Sequence, residues 1–272
     1  MGAYLYTNVA SLSAQRNLSA SQDMLKTSTE RLSSGKRINS SKDDSAGAGI
    51  AKRFMGNVQG IRQGVRNAQD GAAMADAGEA VLEQMAQMTL RIRELGVQAQ
   101  NGTYSTADLT NIDNEVQALK TGIQGLATNA KYNGQNLLGV GGAAAFSATI
   151  QYSDEASGTL TVANTLDFSS VTIQAPTTNT DAATTVTNAD ALLTKIASAR
   201  SNFSKQSTTL GYVASAQSAL AEAVDSARSR IEDTDYAAET AQMTRNQILQ
   251  QAATAALAQA NAMPNTILSL IK

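Results

Sequence analysis

Residues 243–272 read MTRNQILQQAATAALAQANAMPNTILSLIK. Alternating steps of four and three pick out Leu249, Ala253, Ala256, Ala260, Met263, Ile267 and Leu270, with Leu257 as a further apolar group. That spacing is the stripe of a coiled-coil seam. The rest of the segment is mostly Ala, Gln, Asn and Thr, and only Arg245 and Lys272 are charged. Alone, such a helix buries too little to offset the entropy of ordering it, so it needs a second helix. The opposite end of the chain offers one. Leu5, Val9 and Leu12 begin a stripe that continues, after a two-residue shift, through Ala14, Leu18, Ser21, Leu25, Ser28 and Leu32. Both ends are expected to be assembly surfaces, loose until a partner covers them.

Composition supports a helical, elongated architecture. Aromatic residues make up 4% of the 272 and tryptophan is absent, so the core must be built from Ala, Leu, Ile, Val and Met. Two prolines, Pro176 and Pro264, leave long tracts with nothing to break a helix. Without cysteine there is no thiol chemistry. Without histidine the commonest general base and transition-metal ligand is missing. The net charge of −2 is uneven, with ten Lys/Arg against four Asp/Glu in residues 1–66. Complementary contact between subunits suits this better than nucleic acid, for which the chain would be basic overall. No apolar run reaches the roughly 18 residues of a membrane span. The first twenty residues carry one charge, Arg16, and no apolar h-region, so no secretory signal is expected. Tyr6 stands where a myristoylation motif needs Ser or Thr.

The first amphipathic stretch ends at Gly35, and a polar loop follows from Lys36 in which Asp43 or Asp44 caps the next helix. From about Ala46 to Gln100 a single helix is expected, about 80 Å long at 1.5 Å per residue. Its second half carries Met74, Gly78, Val81, Met85, Met88, Ile92, Leu95 and Ala99 at four-three spacing. Asn101-Gly102 is a turn, Ser105-x-x-Asp108 a capping box, and a further helix carries Leu109 through Ala130 until Asn133-Gly134. Phe146, Ala148, Ile150 and Tyr152, then Leu160, Val162, Leu166 and Phe168, alternate with polar residues as a hairpin with one buried face. Thr177–Asn188 reads as a surface loop. Leu192 opens the last long seam, through Ile196, Ala199, Phe203, Gln206, Leu210, Val213, Gln217, Leu220, Val224, Ala227 and Ile231, with Gln206 and Gln217 as polar guests able to fix register. Residues 233–239 interrupt it. The expected fold class is mainly α, a coiled-coil-like helical rod with a small β-hairpin.

Glu30-Arg31-Leu32-Ser33-Ser34-Gly35-Lys36-Arg37-Ile38-Asn39, followed by Lys42-Asp43-Asp44-Ser45-Ala46-Gly47, resembles the signature of bacterial flagellin. Arg91-Ile92-Arg93-Glu94-Leu95, Tyr132-Asn133-Gly134 and Ala256-Leu257-Ala258-Gln259-Ala260-Asn261 extend the resemblance over residues 1–139 and 190–272. It implies a subunit that polymerises into a flagellar filament. Residues 1–40 with 235–272 would form a terminal coiled-coil domain lining the filament. Residues 41–139 with 189–234 would form the helical rod, and 140–188 a hairpin and loop on it, where the family's larger outer domains are missing. The assembly interface would comprise Leu5, Val9, Leu12, Leu18, Leu25, Leu32, Leu249, Leu257, Met263, Ile267 and Leu270. Partners implied are further copies, an export chaperone on the C-terminal helix, and filament cap and junction proteins. Export would be uncleaved, to an extracellular filament, with no cofactor.

The resemblance also marks Arg91, Leu95 and Glu115 as positions of the flagellin surface that a vertebrate innate immune receptor recognises. The plainer reading makes Ile92 and Leu95 seam residues and Arg91 and Glu94 solvated charges. Ser and Thr crowd residues 153–187, where flagellins are often O-glycosylated; Asn17, Asn39, Asn101 and Asn202 fit the N-glycosylation pattern. The carboxylate pairs Asp43/Asp44 and Asp233/Asp235 could do acid–base chemistry, but capping suits them better, and no catalytic residue is expected. A hook–filament junction protein and a flagellin-like cell-surface adhesin are the alternative readings.

Overall fold

A computed structural model describes residues 8–138, 146–153, 155, 157–164 and 173–271, the side chains of 179 and 264–271 excepted. The chain divides into two compact units: Met1–Gly56 with Ala223–Lys272, and Asn57–Glu222. Among the described residues, five helices and two hairpins occur in the order α1 (Val9–Ser34), α2 (Ser45–Ala99), α3 (Thr106–Asn129), β1 (Lys131–Tyr132), β2 (Gln135–Asn136), β3 (Phe146–Gln151), β4 (Thr159–Asn164), α4 (Asn179–Glu232) and α5 (Tyr236–Ile271). The expected mainly α fold is the observed one.

Helix ends are set by local chemistry. Gly35 closes α1 in the left-handed conformation, φ 72°, and donates its N–H to the Arg31 carbonyl at 2.8 Å. Asp44 caps α2 by accepting the Gly47 N–H at 2.8 Å. The carboxylate of Asp43 instead gathers the N–H groups of Asn39 and Ser40 in the preceding loop. At α3 the expected capping box is formed: Ser105 Oγ accepts the Asp108 N–H, and Asp108 accepts the Ser105 N–H at 3.0 Å. Asp235 caps α5 through the N–H groups of Ala237 and Ala238.

In the unit 57–222, α2, α3 and α4 share one core built on Leu82, Met85, Ile92, Val116, Leu192, Ile196, Phe203 and Leu210. The anticipated stripe of α2 is buried or half-buried at every position from Met74 to Ala99. Three glycines seven residues apart make room along it. A Cβ on Gly64 would lie 2.0 Å from the Tyr152 carbonyl oxygen, one on Gly71 2.9 Å from Ile150, and one on Gly78 2.9 Å from Phe203. Backbone and aromatic ring thus approach the helix where side chains are absent.

The β3–β4 hairpin is antiparallel, with Phe146 opposite Asn164 and Gln151 opposite Thr159. Val162 and Phe146 are buried, as the alternation requires; Leu166 and Phe168 lie outside the described residues. Gln206 leaves the α4 seam to receive the Ala163 N–H at 3.2 Å and return its own amide N–H to the Ala163 carbonyl at 2.9 Å. Its side chain stands in for a third strand.

Two expectations fail here. Residues 177–188 are not a surface loop, because α4 already starts at Asn179. Thr178 accepts the Asp181 N–H and donates to its carboxylate at 2.6 Å, and the buried Ala182, Thr185 and Ala189 carry the four-three spacing back from Leu192. Thr185 interrupts the apolar pattern but is satisfied, donating to the Gln174 carbonyl at 2.6 Å. Nor does Asn133-Gly134 end α3, which stops at Asn129. With φ of 47° and 79° it turns β1 into β2, and positive φ at both central positions is what a tight type I′ hairpin demands.

Candidate assembly interface

In the terminal unit, α1 and α5 lie antiparallel. Asn8 Nδ2 donates to the Ala260 carbonyl at 2.7 Å and Ser11 Oγ to Asn261 Oδ1 at 2.7 Å, while at the far end Arg31 meets Glu239 at 3.7 Å. The corner after α1 is stitched to the α4–α5 corner. Arg37 and Thr234 donate backbone N–H groups to Glu232 and Gly35, and Lys36 Nζ reaches Glu232 at 2.5 Å.

The packed face of α1 is Asn8, Ser11, Ala14, Leu18, Ser21, Leu25, Ser28 and Leu32. From Ala14 onward this is the anticipated seam. Before it, the face continues without the two-residue shift. Val9 and Leu12 therefore point away, 59% and 51% exposed. Leu5 lies outside the described residues.

On α5 the packed face is Glu239, Gln242, Asn246, Gln250, Ala253, Leu257 and Ala260. It shares Ala253 and Ala260 with the anticipated stripe, but Leu249, Ala256 and Met263 face outward. Ile248, 60% exposed, accompanies Leu249, 44% exposed. The side chains of Ile267 and Leu270 lie outside the described residues. The physical reason is economy of bulk: Ser21, Ser28 and Asn246 are buried where α1 and α5 touch. Small and polar residues let the two backbones close together around Leu18, Leu25, Leu32 and Leu257, while Val9, Leu12, Ile248, Leu249 and Met263 remain outside. The internal pairing is consequently weak in apolar terms. Apolar surface is left over on both helices.

The residues 5–140 match the model of the bacterial flagellin N-terminal helical region, and residues 180–271 that of the C-terminal helical region. The flagellin of Xenorhabdus nematophila is 34% identical over 316 residues, covering 100% of both chains. Flagellin FlaB2 of Treponema pallidum is 32% identical over 284 residues, covering 97% of this chain and 98% of that one. This chain belongs to the bacterial flagellin family. The crystal structure of Bacillus cereus flagellin superimposes with a TM-score of 0.50 at 28% identity, over 56% of this chain and 88% of that one. It is a short flagellin, a structural protein of the extracellular flagellar filament that polymerises with copies of itself. Only residues 141–179 separate the two matched regions.

Of the positions that the resemblance marks for an immune receptor, Arg91 and Glu115 are exposed and joined, Nε to Oε1 at 2.9 Å. The Arg91 guanidinium is held above its usual pKa, first by its hydrogen bond to Glu115 and then by that to Glu94. Leu95 does not share this surface. It is 2% exposed, sunk in the α2–α3–α4 core, so it supports the helix from beneath. Within the segment 90–98 that the resemblance marks for the receptor, the apolar groups that do reach the surface are Leu90 and Val97. A seven-residue interval places them on one helix face, a signal available in the sequence.

The carboxylates nominated for chemistry are engaged otherwise: Asp43, Asp44 and Asp235 accept main-chain N–H groups, and Asp233 forms a backbone bridge with Lys36. Among the described residues, no group of three or more carboxylates is placed to hold a metal ion. Nor is any helix there long and apolar enough to cross a membrane.

Proposed function

We propose that this flagellin assembles through the outward faces of α1 and α5. Val9 and Leu12 on one helix and Leu249 and Met263 on the other would be covered by neighbouring copies, with Leu18, Leu25, Leu32 and Leu257 holding the two helices together beneath. One observation carries it: Val9, Leu12, Ile248, Leu249 and Met263 of the terminal unit point away from its own seam. The terminal pair, near residues 1–40 and 235–272, would line the filament, and the long helices α2, α3 and α4 with their hairpin would form the rod.

The same exposed strip on α5 suits an export chaperone, which would shield it before assembly and release the uncleaved chain for flagellar export. Cap and junction proteins would meet the strip at the two ends of the filament. Arg91 and Glu115, with Leu90 and Val97, are the surface for an innate receptor, and no catalytic role is assigned to any residue. Truncation of residues 240–272 tests the assembly reading. A folded, soluble monomer that never elongates from seeds is expected; normal filaments would overturn it. A full-length chain that forms no long filaments alone would instead favour a hook–filament junction role.

A further inference from the structure

The outward sides of α1 and α5 carry two strips of matching period. On α1, Val9, Leu12, Arg16, Ser19 and Asp23 follow one another at alternating steps of three and four, all exposed. A shallow groove of about 750 Å³ runs along them. On α5, Arg245, Leu249, Ala252, Ala256 and Gln259 are exposed at steps of four and three. Such spacing keeps each strip on one side of its helix, as in a coiled-coil seam. Neither strip belongs to the internal seam, where Leu18, Leu25 and Leu32 pack with Ala253 and Leu257. Each strip also ends in an exposed charge with no ion-pair partner among the described residues, Asp23 on α1 and Arg245 on α5.

We infer that the α1 strip of one copy receives the α5 strip of a second copy, antiparallel, with Asp23 against Arg245. From that pair the two periods stay in step: Ser19 meets Leu249, Arg16 meets Ala252, Leu12 meets Ala256 and Val9 meets Gln259. At the three middle levels a large group falls on a small one, the condition for close packing of knobs in holes. The Arg16 stem lies over Ala252 while its guanidinium stays in water. Charge selects the register. A slip of seven residues one way sets Arg16 against Arg245 and Leu12 against Leu249. The same slip the other way sets Asp23 against Ala252 and leaves Arg245 without a carboxylate. Orientation follows from the copy itself, because its own α1 and α5 are antiparallel and a screw along the pair preserves that relation between neighbours. Asn8 bonds Ala260 within a copy and Val9 meets Gln259 between copies, so neighbours stand side by side at nearly the same height. The two strips are different surfaces, so the contact is heterologous; each added copy covers one and offers the other, and growth does not stop at a dimer. The inference rests on the proposed packing of copies through α1 and α5, and adds which face meets which and at what register.

Cross-linking tests it, because the chain has no cysteine of its own. Full-length copies carrying Ser19→Cys are mixed with copies carrying Leu249→Cys, grown into filaments from seeds and treated with the thiol oxidant diamide. Covalent dimers of the two kinds of copy are expected. Leu12→Cys mixed with Leu249→Cys should give about tenfold fewer, since one heptad is about 10 Å along the helix and beyond the reach of a disulfide. Equal or greater linkage through Leu12→Cys would overturn the register. Should Leu249→Cys fail to polymerise, charge exchange decides. Asp23→Arg and Arg245→Asp should each raise the critical concentration about fivefold, and the double exchange should return it to within about twofold of the unaltered chain. Effects that multiply instead of cancelling would overturn the inference. Filaments that form without the link between positions 19 and 249 refute this register and leave the assembly reading intact, whereas that reading falls if the 240–272 truncation polymerises.

Discussion

Replacing Gly64 by alanine separates helix propensity from packing within a single helix. In an exposed helix interior the change from glycine to alanine stabilises by about 1 kcal/mol. At Gly64, however, the new methyl would stand 2.0 Å from the Tyr152 carbonyl oxygen and 2.5 Å from its carbonyl carbon. Both are backbone atoms, so relief requires the end of the β3–β4 hairpin to move by more than 1 Å, roughly, to restore van der Waals distance. That movement would strain the 2.8 Å bond from Asn67 Nδ2 to the Gln151 carbonyl one residue away. Overpacking of this kind costs about 1–3 kcal/mol and a lost hydrogen bond about 1 kcal/mol more. Set against the propensity gain, Gly64→Ala should destabilise the 57–222 unit by about 2 kcal/mol. Gly125→Ala and Gly211→Ala are the controls, because a Cβ at either position meets nothing within 4 Å. Each should stabilise by about 0.5–1 kcal/mol. Urea unfolding of monomers, followed by far-ultraviolet circular dichroism, reads all three. If Gly64→Ala stabilises as much as Gly211→Ala, the close approach of the hairpin to α2 is wrong.

Further outcomes follow from the same packing. Phe203→Ala removes the ring that fills the space over Gly78 and should cost about 3–5 kcal/mol, read as a loss of thermal stability of the monomer. Gln206→Leu leaves the Ala163 N–H and carbonyl without their α4 partner; faster amide exchange at Ala163 is expected, with α4 still folded. Asp43, Asp108 and Asp181 are all held below the ordinary carboxylate value of 3.8, chiefly by hydrogen bonds from Ser40, Ser105 and Thr178. Depressed folded-state values mean that the stability they contribute is fully present above about pH 4 and is lost as pH falls through the lower folded values. Thermal unfolding followed from pH 5 to pH 2 should show this loss, and Asp108→Asn should reduce it. Ile248→Ser/Leu249→Ser removes about 3 kcal/mol of apolar burial between copies and should raise the critical concentration on the order of a hundredfold without unfolding the 57–222 unit.

Long elements were legible because their periodicity is sustained. The seam of α2 from Met74 to Ala99 and that of α4 from Leu192 to Leu210 need only four-three spacing, and helices of this length leave no competing period. Capping was legible where a Ser or Asp stood at the edge of such a run, as at Ser105 and Asp44. The same chemistry at Thr178-x-x-Asp181 went unread because the surrounding threonines look like loop, and because Thr185 hides the apolar position its hydrogen bond to Gln174 makes tolerable. The phase of α5 was misread for a related reason. The largest apolar residues, Leu249 and Met263, were assigned to the seam, whereas close helix contact selects small ones such as Ala253 and Ala260 and admits Asn246. On the proposed reading, the bulk left exposed at Val9, Leu12, Leu249 and Met263 is the face a second copy would cover. Leu95 shows the limit of sequence position for a surface site: one turn along α2 from Arg91, it falls on the buried side of the boundary between core and solvent.

The absence of cysteine from the chain makes a direct test of the central claim available. Leu249→Cys places one thiol on the outward face of α5, and its rate of reaction with a maleimide is measured in monomers and in intact filaments. Protection by more than about tenfold in the filament is the predicted result, since a neighbouring copy should cover the position. Equal rates in the two states would contradict it and would mean that the apolar residues exposed on the terminal helices play no part in joining one subunit to the next.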